Sequence, residues 1–201
     1  MSAPADAAVV LASKSPRRAE LLTRVGLDFI VRPAEIDETF APGLSPAEAV
    51  TEISKRKAQA VCAAEPAGRI VVACDTVVAV DGRIFGKPAD ACEAAEMLRV
   101  LSGRTHEVYS GLTVCTSERT VSACERTAVA FRRLSEADIA AYIGTGEPFD
   151  KAGGYGIQGM GMLLVERIDG DYYNVMGLPV CRLFLLLRSF GVNLLGSKTP
   201  L

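Results

Sequence analysis

Tryptophan is absent from this sequence of 201 residues, and aromatic residues make up only 6% of it. The hydrophobic residues, which make up 49% of the chain, are therefore mainly aliphatic. We expect a core of Val, Leu, Ile and Ala side chains. A chain of this length can bury such a core without disulfides or structural metals, so we expect residues 1–201 to form a single domain.

The sequence also lacks the features of two classes of binding protein. Its net charge is −2, which argues against a broad nucleic-acid-binding face. None of its six cysteines lies in a CxxC pair and it has one histidine, which argues against a zinc site of the usual spacing. Most of the cysteines lie in apolar stretches, and we interpret them as small buried hydrophobic residues in a reducing compartment.

No segment has the composition of a signal peptide or the length of a membrane span. Residues 1–13 contain no basic stretch followed by a long apolar run. The apolar run at 179–192 is too short to cross a bilayer, and Arg182 and Arg188 interrupt it. We therefore expect a cytoplasmic protein without a membrane partner.

Apolar stretches typical of strands alternate with segments of helical periodicity. The strands are predicted at residues 8–12, 28–32, 69–80, 83–85, 105–116 and 121–132, and the helices at 16–25, 45–64, 89–101, 135–144 and 179–190. Residues 163–168 and 172–175 flank a predicted turn at Asp169-Gly170-Asp171. This order predicts an α/β fold, with a mixed twisted central sheet flanked by helices and a deep cleft between two lobes.

The segment 11–18, LASKSPRR, combines the end of a strand, a polar turn and the start of a helix. The N-terminus of a helix presents unpaired N–H groups and a partial positive charge, so Arg17 and Arg18 in its first turn are locally unfavourable. A bound phosphate group would remove this conflict. The alternative is a surface helix with two solvated arginines, and the spacing alone favours neither. The segment is not a P-loop, because the GK[ST] ending is missing.

Asp75 is a carboxylate inside an apolar strand, in the stretch VVACDTVV at 71–78. Such a group is costly to bury unless a metal, a cation or hydrogen bonds satisfy it. A carboxylate on a rigid strand can accept a proton from water or hold a metal ion. The alternative is a structural aspartate that bonds to nearby backbone.

Charged and polar residues in two other places could complete a site. Lys87 follows a hairpin in GKP at 86–88, where a surface lysine is the commoner explanation. A Gly-rich segment at 146–159 carries Gln158, whose amide can both donate to and accept from a base edge. A flexible connector fits this segment poorly, since its polar side chains are more specific than a linker requires.

Helix residue Lys57 could add a cation, and the acidic loop formed by Glu35, Asp37 and Glu38 could add a metal ligand. A solvated face is the usual explanation for such a loop. For His106 we expect a structural or surface role. Together, the cations, the embedded carboxylate, the acidic loop and the amide suit a polyphosphate ester attacked by water with the help of a metal.

In these residues the chain resembles the Maf-like nucleotide pyrophosphatases over nearly its whole length. The shared motifs are LASKSPRR (11–18), IDE (36–38), KRKA (55–58), ACDTVV (73–78), GKP (86–88), SGRTHEVYSG (102–111), GEPFDKAGGYGIQG (146–159) and GDYYNVMGLP (170–179). The resemblance implies a fold related to the inosine-triphosphate pyrophosphatases and a homodimer. It also implies cleavage between the α and β phosphates of a nucleoside triphosphate, with Mg²⁺ or Mn²⁺.

The resemblance also implies roles for individual residues. Asp75 matches the proposed proton acceptor of the family, and the other matched cleft positions are Ser13, Arg18, Glu38, Lys57 and Lys87. Glu38, together with Asp75, would hold the metal. Substrate choice follows three positions that are here Arg17, Thr76 and Gln158, and this combination is similar to the branch that prefers dTTP and UTP, including modified pyrimidine nucleotides.

Two other functions stay open from the sequence. The chain could be a non-catalytic nucleotide-binding regulator of cell division, although such a binder would not need an embedded carboxylate at the phosphates. It could also be a house-cleaning pyrophosphatase selective for purine nucleotides or 7-methyl-GTP. Release of pyrophosphate, and the relative rates on different nucleotides, would distinguish these functions.

Overall fold

The computed structural model describes residues 8–195 of the chain. Within that range the strands are β1 (Val9–Leu11), β2 (Phe29–Val31), β3 (Ile70–Val80), β4 (Arg83–Phe85), β5 (Thr105–Cys115), β6 (Thr120–Phe131) and β7 (Val165–Asp169). The helices are α1 (Pro16–Arg24), α2 (Pro46–Cys62), α3 (Ala91–Leu101), α4 (Glu136–Gly144), α5 (Tyr172–Met176) and α6 (Val180–Ser189). Three short 3₁₀ helices lie at Glu147–Asp150, Ala152–Gly154 and Gly159–Leu163.

The strands form one mixed sheet in the order β2-β1-β3-β5-β6-β7, with β4 paired to β3. Strand β1 is parallel to both β2 and β3, whereas β4 is antiparallel to β3 and β7 is antiparallel to β6. The parallel pairs require crossover connections, and the helices α1 and α2 lie in those connections. The predicted α/β fold with a mixed sheet and flanking helices is confirmed.

The chain divides into two compact units. The first unit comprises residues 8–75, 110–125 and 177–195 of the described range, and the second unit comprises residues 76–109 and 126–176. The single domain predicted for residues 1–201, and the cleft predicted between its lobes, stay predictions. Residues 1–7 and 196–201 of that predicted domain lie outside the described residues.

Local sequence signals explain where most of the elements begin and end. Helix α2 begins with a capping box, in which the Ser45 hydroxyl accepts from the Glu48 N–H and the Glu48 carboxylate accepts from the Ser45 N–H. The chain leaves helix α1 through Gly26, whose φ of +71° places it in the left-handed region. The β3–β4 hairpin turns at Asp81-Gly82, where both residues have positive φ, as a tight two-residue turn requires.

Each unit has its own aliphatic core. In the first unit, β1, β3 and α2 supply most of the cluster Val10, Ala12, Ala58, Val61, Val71, Ala73 and Cys115. The second unit contains a larger cluster in which Phe85, Phe131 and Tyr155 are the buried aromatic side chains with Tyr142. The expected aliphatic character of the interior is confirmed, with these few aromatic residues concentrated in the second unit.

Two details differ from the sequence prediction. The residues after the turn at 169–171 form the short helix α5, because the Asp171 carboxylate accepts from the Tyr173 N–H and starts a helical turn. Cys92 and Cys181 are exposed, while Cys74 and Cys115 are buried, so the cysteines are not uniformly interior.

No helix between residues 8 and 195 is long and apolar enough to cross a membrane.

Candidate functional site

Lys57 lies between two carboxylates in the first unit. Its ammonium nitrogen is 2.7 Å from Asp75 Oδ1 and 2.9 Å from Glu38 Oε2. The side chain of Lys57 is only 9% exposed and that of Asp75 is 16% exposed, whereas Glu38 is 59% exposed. The structure therefore brings together three of the predicted site residues in one cluster of charges.

The sequence places Lys57 on the buried face of α2. Ile53 and Val61, four residues before and after it, are both buried, so Lys57 occupies a position that helical periodicity reserves for an apolar side chain. Asp75 similarly follows the wholly buried residues 70–74 of β3. Burying either charge alone would be costly, and each compensates the other.

The acidic loop is fastened to α2 by Arg56, a residue that the sequence did not single out. Its guanidinium donates to the carbonyl of Thr39 at 2.7 Å and to the carbonyl of Asp37. Asp37 also accepts hydrogen bonds from the hydroxyl and N–H of Thr39, and the first of these chiefly lowers the pKa of its carboxyl. Arg56 thus holds the loop from which Glu38 reaches Lys57.

Arg18 links three separate segments of the first unit. Its guanidinium donates to the carbonyls of Gly177 and Cys74, both at 2.7 Å, and to the Ser13 hydroxyl at 3.1 Å. The Ser13 hydroxyl also accepts from the Ser15 N–H at 3.2 Å. Because Arg18 bonds to the carbonyl directly before Asp75, it fixes the backbone that presents this carboxylate. Its predicted contact with phosphate stays a prediction.

The start of α1 keeps the features that suggested an anion site. The side chain of Ser15 at the N-cap makes no capping hydrogen bond, and the first turn contains no acidic residue. Arg17 in that turn is half-buried, and Lys14 forms an exposed ion pair with Glu35 at 2.9 Å. The peptide N–H groups of the first turn therefore lack a side-chain cap.

The remaining predicted residues belong to the second unit. Thr76 is half-buried and follows Asp75 on β3, and Lys87 is exposed between β4 and α3. The N–H of Gly153 donates to the carbonyl of Gly86 at 2.9 Å, so the loop carrying Lys87 is tied to the Gly-rich segment. Gln158 is half-buried and lines a pocket of about 450 Å³.

His106 is buried in the second unit, and no catalytic role was predicted for it. Its Nε2 lies 2.7 Å from the Tyr155 hydroxyl, and its ring packs edge-on against Phe131 with centroids 4.9 Å apart. Burial lowers the pKa of His106 from 6.5 to about 4. The ring is therefore neutral at pH 7, which fits the structural role predicted for it.

Glu38 and Asp75 fit a hard divalent cation by their chemistry, since both offer carboxylate oxygens. Lys57 contacts one oxygen of each, which leaves each carboxylate a second oxygen for a metal. Among residues 8–195 no group of three or more His, Cys, Asp or Glu side chains converges. Mg²⁺ needs no such protein cage, because it is commonly held by one or two carboxylates together with substrate phosphates.

Comparisons with known proteins agree on one family. A family model described as Maf-like protein matches residues 8–190. A dTTP/UTP pyrophosphatase of Bacillus cytotoxicus is 50% identical over 181 residues, which cover 90% of this chain and 94% of the relative. A dTTP/UTP pyrophosphatase of Bacillus cereus is 46% identical over 185 residues, covering 92% of this chain and 96% of the relative.

Among solved structures, the Staphylococcus aureus Ham1 protein matches 61% of this chain and 71% of its own. The sequence identity is 15% and the TM-score is 0.46. A likeness this remote adds nothing to the agreement between the family model and the two relatives.

Proposed function

The chain belongs to the Maf-like protein family, and from this membership we propose that it is a nucleoside triphosphate pyrophosphatase that hydrolyses dTTP and UTP. The products are the nucleoside monophosphate and pyrophosphate. The observation that carries the proposal is the 50% identity, over 90% of the chain, to a relative named dTTP/UTP pyrophosphatase. The charge cluster around Lys57 supplies groups that suit this reaction.

In the proposed reaction Asp75 accepts a proton from the water that attacks phosphorus. Its position on β3 and its 2.7 Å contact with Lys57 support this role, because a general base must be held in one place. Lys57 balances the negative charges of Asp75 and Glu38 and keeps both carboxylates together. Arg18 supports Asp75 indirectly, by donating to the carbonyl of the preceding residue, Cys74.

We propose that Glu38 and Asp75 hold a divalent cation, Mg²⁺ or Mn²⁺, that arrives with the triphosphate. Such an ion would neutralise phosphate charge and act as a Lewis acid at the reacting phosphoryl group. Arg56 supports Glu38 by fastening the acidic loop through two backbone carbonyls. This support resembles the outer contacts that commonly orient metal-binding carboxylates.

Other side chains would recognise the substrate. Ser13, Arg17 and Lys87 offer a hydroxyl and two cations for the phosphate oxygens, and cations of this kind recur wherever triphosphates are bound. For the base, we propose Thr76 and Gln158, which can pair with the polar edge of a pyrimidine. Each of these roles follows from the chemistry of the side chain and from the family resemblance.

The test is release of pyrophosphate from dTTP, UTP, 7-methyl-GTP and ITP, with Mg²⁺, with Mn²⁺ and with a chelator. We expect kcat/KM for dTTP and UTP to exceed that for the two purine nucleotides by about tenfold or more, since polar edge contacts discriminate at least that well. Activity should disappear with the chelator and return with added metal.

The same panel separates the alternatives. Faster hydrolysis of 7-methyl-GTP or ITP would identify a purine-selective enzyme. Binding of a nucleotide without any hydrolysis, in the presence of either metal, would support the non-catalytic regulator and overturn the proposal.

A further inference from the structure

The carboxylate of Glu147 accepts three hydrogen bonds within the second unit. Its Oε2 accepts from the N–H of Met160 at 2.8 Å, and its Oε1 accepts from the N–H of Gly161 at 3.1 Å. The hydroxyl of Tyr142 donates to Oε1 at 2.9 Å. Hydrogen bonds to an ionised acceptor are among the strongest that side chains make, so Glu147 holds the chain just after Gln158.

Tyr142 anchors the other side of Gln158. Its hydroxyl accepts from the N–H of Gly156 at 3.1 Å while donating to Glu147. Burial is the main cause that raises the pKa of Tyr142, so the hydroxyl stays protonated at neutral pH and remains a donor. Residues 157–159 therefore lie between two fixed backbone groups. The N–H of Gly156 is linked to the Glu147 carboxylate through Tyr142, and the N–H of Met160 bonds to it directly.

The glycines of this segment allow the backbone to pack against its own anchors. Gly159 has φ +67°, and a Cβ there would lie 2.5 Å from Glu147 Oε2. A Cβ on Gly161 would overlap the carbonyl oxygen of Gly156. A side chain at Gly159 would displace the Glu147 carboxylate, and one at Gly161 would push the backbone away from Gly156. The Gly-rich composition thus serves a fixed, tightly folded loop, and a flexible connector does not describe it.

The side chain that this loop presents is Gln158. It lines the pocket of about 450 Å³, where Ile157, Met162 and Tyr172 are among the other lining residues. Within residues 8–195 the carboxamide of Gln158 makes no hydrogen bond to the protein. Its donor and acceptor are therefore available to a ligand.

We propose that Glu147 is a positioning residue that sets the base selectivity of the enzyme by holding Gln158 in place. This inference rests on the proposed function, in which the Gln158 carboxamide reads the pyrimidine. A polar contact discriminates between bases only when its geometry is fixed, because a mobile amide can follow a different base edge. Glu147 touches neither the base nor the phosphates in this account and acts through Gln158.

The experiment measures kcat and KM for dTTP and ITP with the wild type, Glu147→Gln, Gln158→Ala and the double variant. A glutamine at 147 keeps the side-chain shape but turns one acceptor into a donor, so at least one anchor is lost. We expect the KM for dTTP to rise about tenfold in Glu147→Gln, with little change in kcat, and the preference for dTTP over ITP to fall.

Two comparisons separate positioning from a general structural role. A variant that is only less well folded would lose kcat in proportion to its active fraction and keep its KM. If Glu147 acts through Gln158, Glu147→Gln should add almost nothing to Gln158→Ala in the double variant. Glu136→Gln, which weakens an exposed ion pair with Arg99, is the matched control and should keep the selectivity of the wild type.

Tyr142→Phe provides a second route if Glu147→Gln folds poorly. It removes the anchor at Gly156 and should shift KM and selectivity in the same direction by a smaller factor. Unchanged selectivity in both variants, or a full additional effect of Glu147→Gln on the Gln158→Ala background, would overturn the inference alone. A wild type that hydrolyses no nucleotide would overturn the proposed function, and this inference with it.

Discussion

The ammonium of Lys57 compensates two carboxylates, and this arrangement makes its removal costly. Lys57→Met would leave Asp75, only 16% exposed, without the cation that lies 2.7 Å away. We expect the free energy of unfolding to fall by about 3 kcal/mol, because an uncompensated buried charge is then left behind. Chemical denaturation at pH 7 measures this change, and pyrophosphate release should be lost as well.

The double variant Lys57→Met/Asp75→Asn is the control for that prediction. With the carboxylate neutralised, replacing Lys57 should cost clearly less than it does in the wild type. Equal costs in the two backgrounds would mean that Lys57 stabilises the protein by packing alone.

His106 gives the second unit a defined sensitivity to acid. Burial lowers its pKa to about 4, whereas an unfolded histidine titrates near 6.5. Between these values the unfolded chain binds a proton that the folded chain does not, so stability falls as the pH falls from 6.5 towards 4. Well above the unfolded pKa both states are neutral and the effect vanishes.

The free energy of unfolding is measured for the wild type and for His106→Gln across the range from about pH 4 to about pH 8. The difference in the free energy of unfolding between them should be constant above about pH 7. At lower pH the free energy of unfolding of the wild type should fall, relative to that of His106→Gln, by roughly 1 kcal/mol for each pH unit of acidification. Parallel curves throughout the range would show that His106 titrates normally in the folded protein.

Individual site residues could be predicted from the sequence where they broke a pattern. Asp75 was singled out because it interrupts an apolar strand, whereas Lys57 was predicted only as a helix residue, and its position between the buried Ile53 and Val61 emerges from the structure. Arg56 and Glu147 break no pattern, since their partners are peptide groups brought near by tertiary folding. Local sequence contains no record of such contacts, so these two residues could not be predicted from it.

Helix α2 carries Lys57 and also Arg56, which holds the acidic loop. Arg56→Ala removes the donor to the carbonyls of Asp37 and Thr39, so the acidic loop loses its tie to the helix. We expect the concentration of Mg²⁺ that gives half-maximal activity to rise by about tenfold, because the proposed metal ligand Glu38 lies on that loop. Activity measured against metal concentration tests this.

Lys55 supplies the matched control for Arg56. It is an exposed cation on the same helix, one residue away, so Lys55→Ala changes the charge equally. Its metal dependence should match that of the wild type. An equal shift in both variants would assign the effect to net charge, and the tie to the acidic loop would then be irrelevant.

Helix α2 also lies against β5 at Gly111, and this contact leaves no room for a side chain. A Cβ at Gly111 would overlap the carbonyl oxygen of Val50 on the helix backbone. Gly111→Ala must therefore move α2, and we expect a loss of about 2 kcal/mol or more in the free energy of unfolding. Gly144→Ala, where a Cβ meets open space, should be neutral or slightly stabilising.

Chemical denaturation of the two glycine variants decides this point. Equal stability of Gly111→Ala and the wild type would mean that α2 can shift away from β5 without cost. It would also contradict the rigid placement of Lys57 on which the catalytic account depends.

Most elements could be predicted because their ends carry local chemistry. The capping box at Ser45, the glycine at 26 and the Asp81-Gly82 turn act within a few residues and are visible in sequence. The order of strands in the sheet depends on pairings between distant segments, so local patterns predicted only the fold class. Helix α5 was not predicted, because it is a single short helix that begins after Asp171.

For the whole molecule, the family membership extends across both units. The matched residues 8–190 include nearly all of the described chain, and β3, β5 and β6 each contribute residues to both units. The charge cluster of Lys57 lies in the first unit, and the loop that presents Gln158 lies in the second. The homodimer implied by the family resemblance and the cytoplasmic location expected from the sequence stay predictions, and light scattering would measure the first.

Under the proposed function the enzyme cleaves dTTP between its α and β phosphates, and Asp75 activates the attacking water. The most direct measurement follows dTTP and its products by chromatography, with the wild type and with Asp75→Asn, in the presence of Mg²⁺. We expect dTMP and pyrophosphate in equal amounts from the wild type, and a rate reduced by at least about 100-fold in Asp75→Asn. Formation of dTDP and phosphate, or full activity in Asp75→Asn, would contradict this proposal.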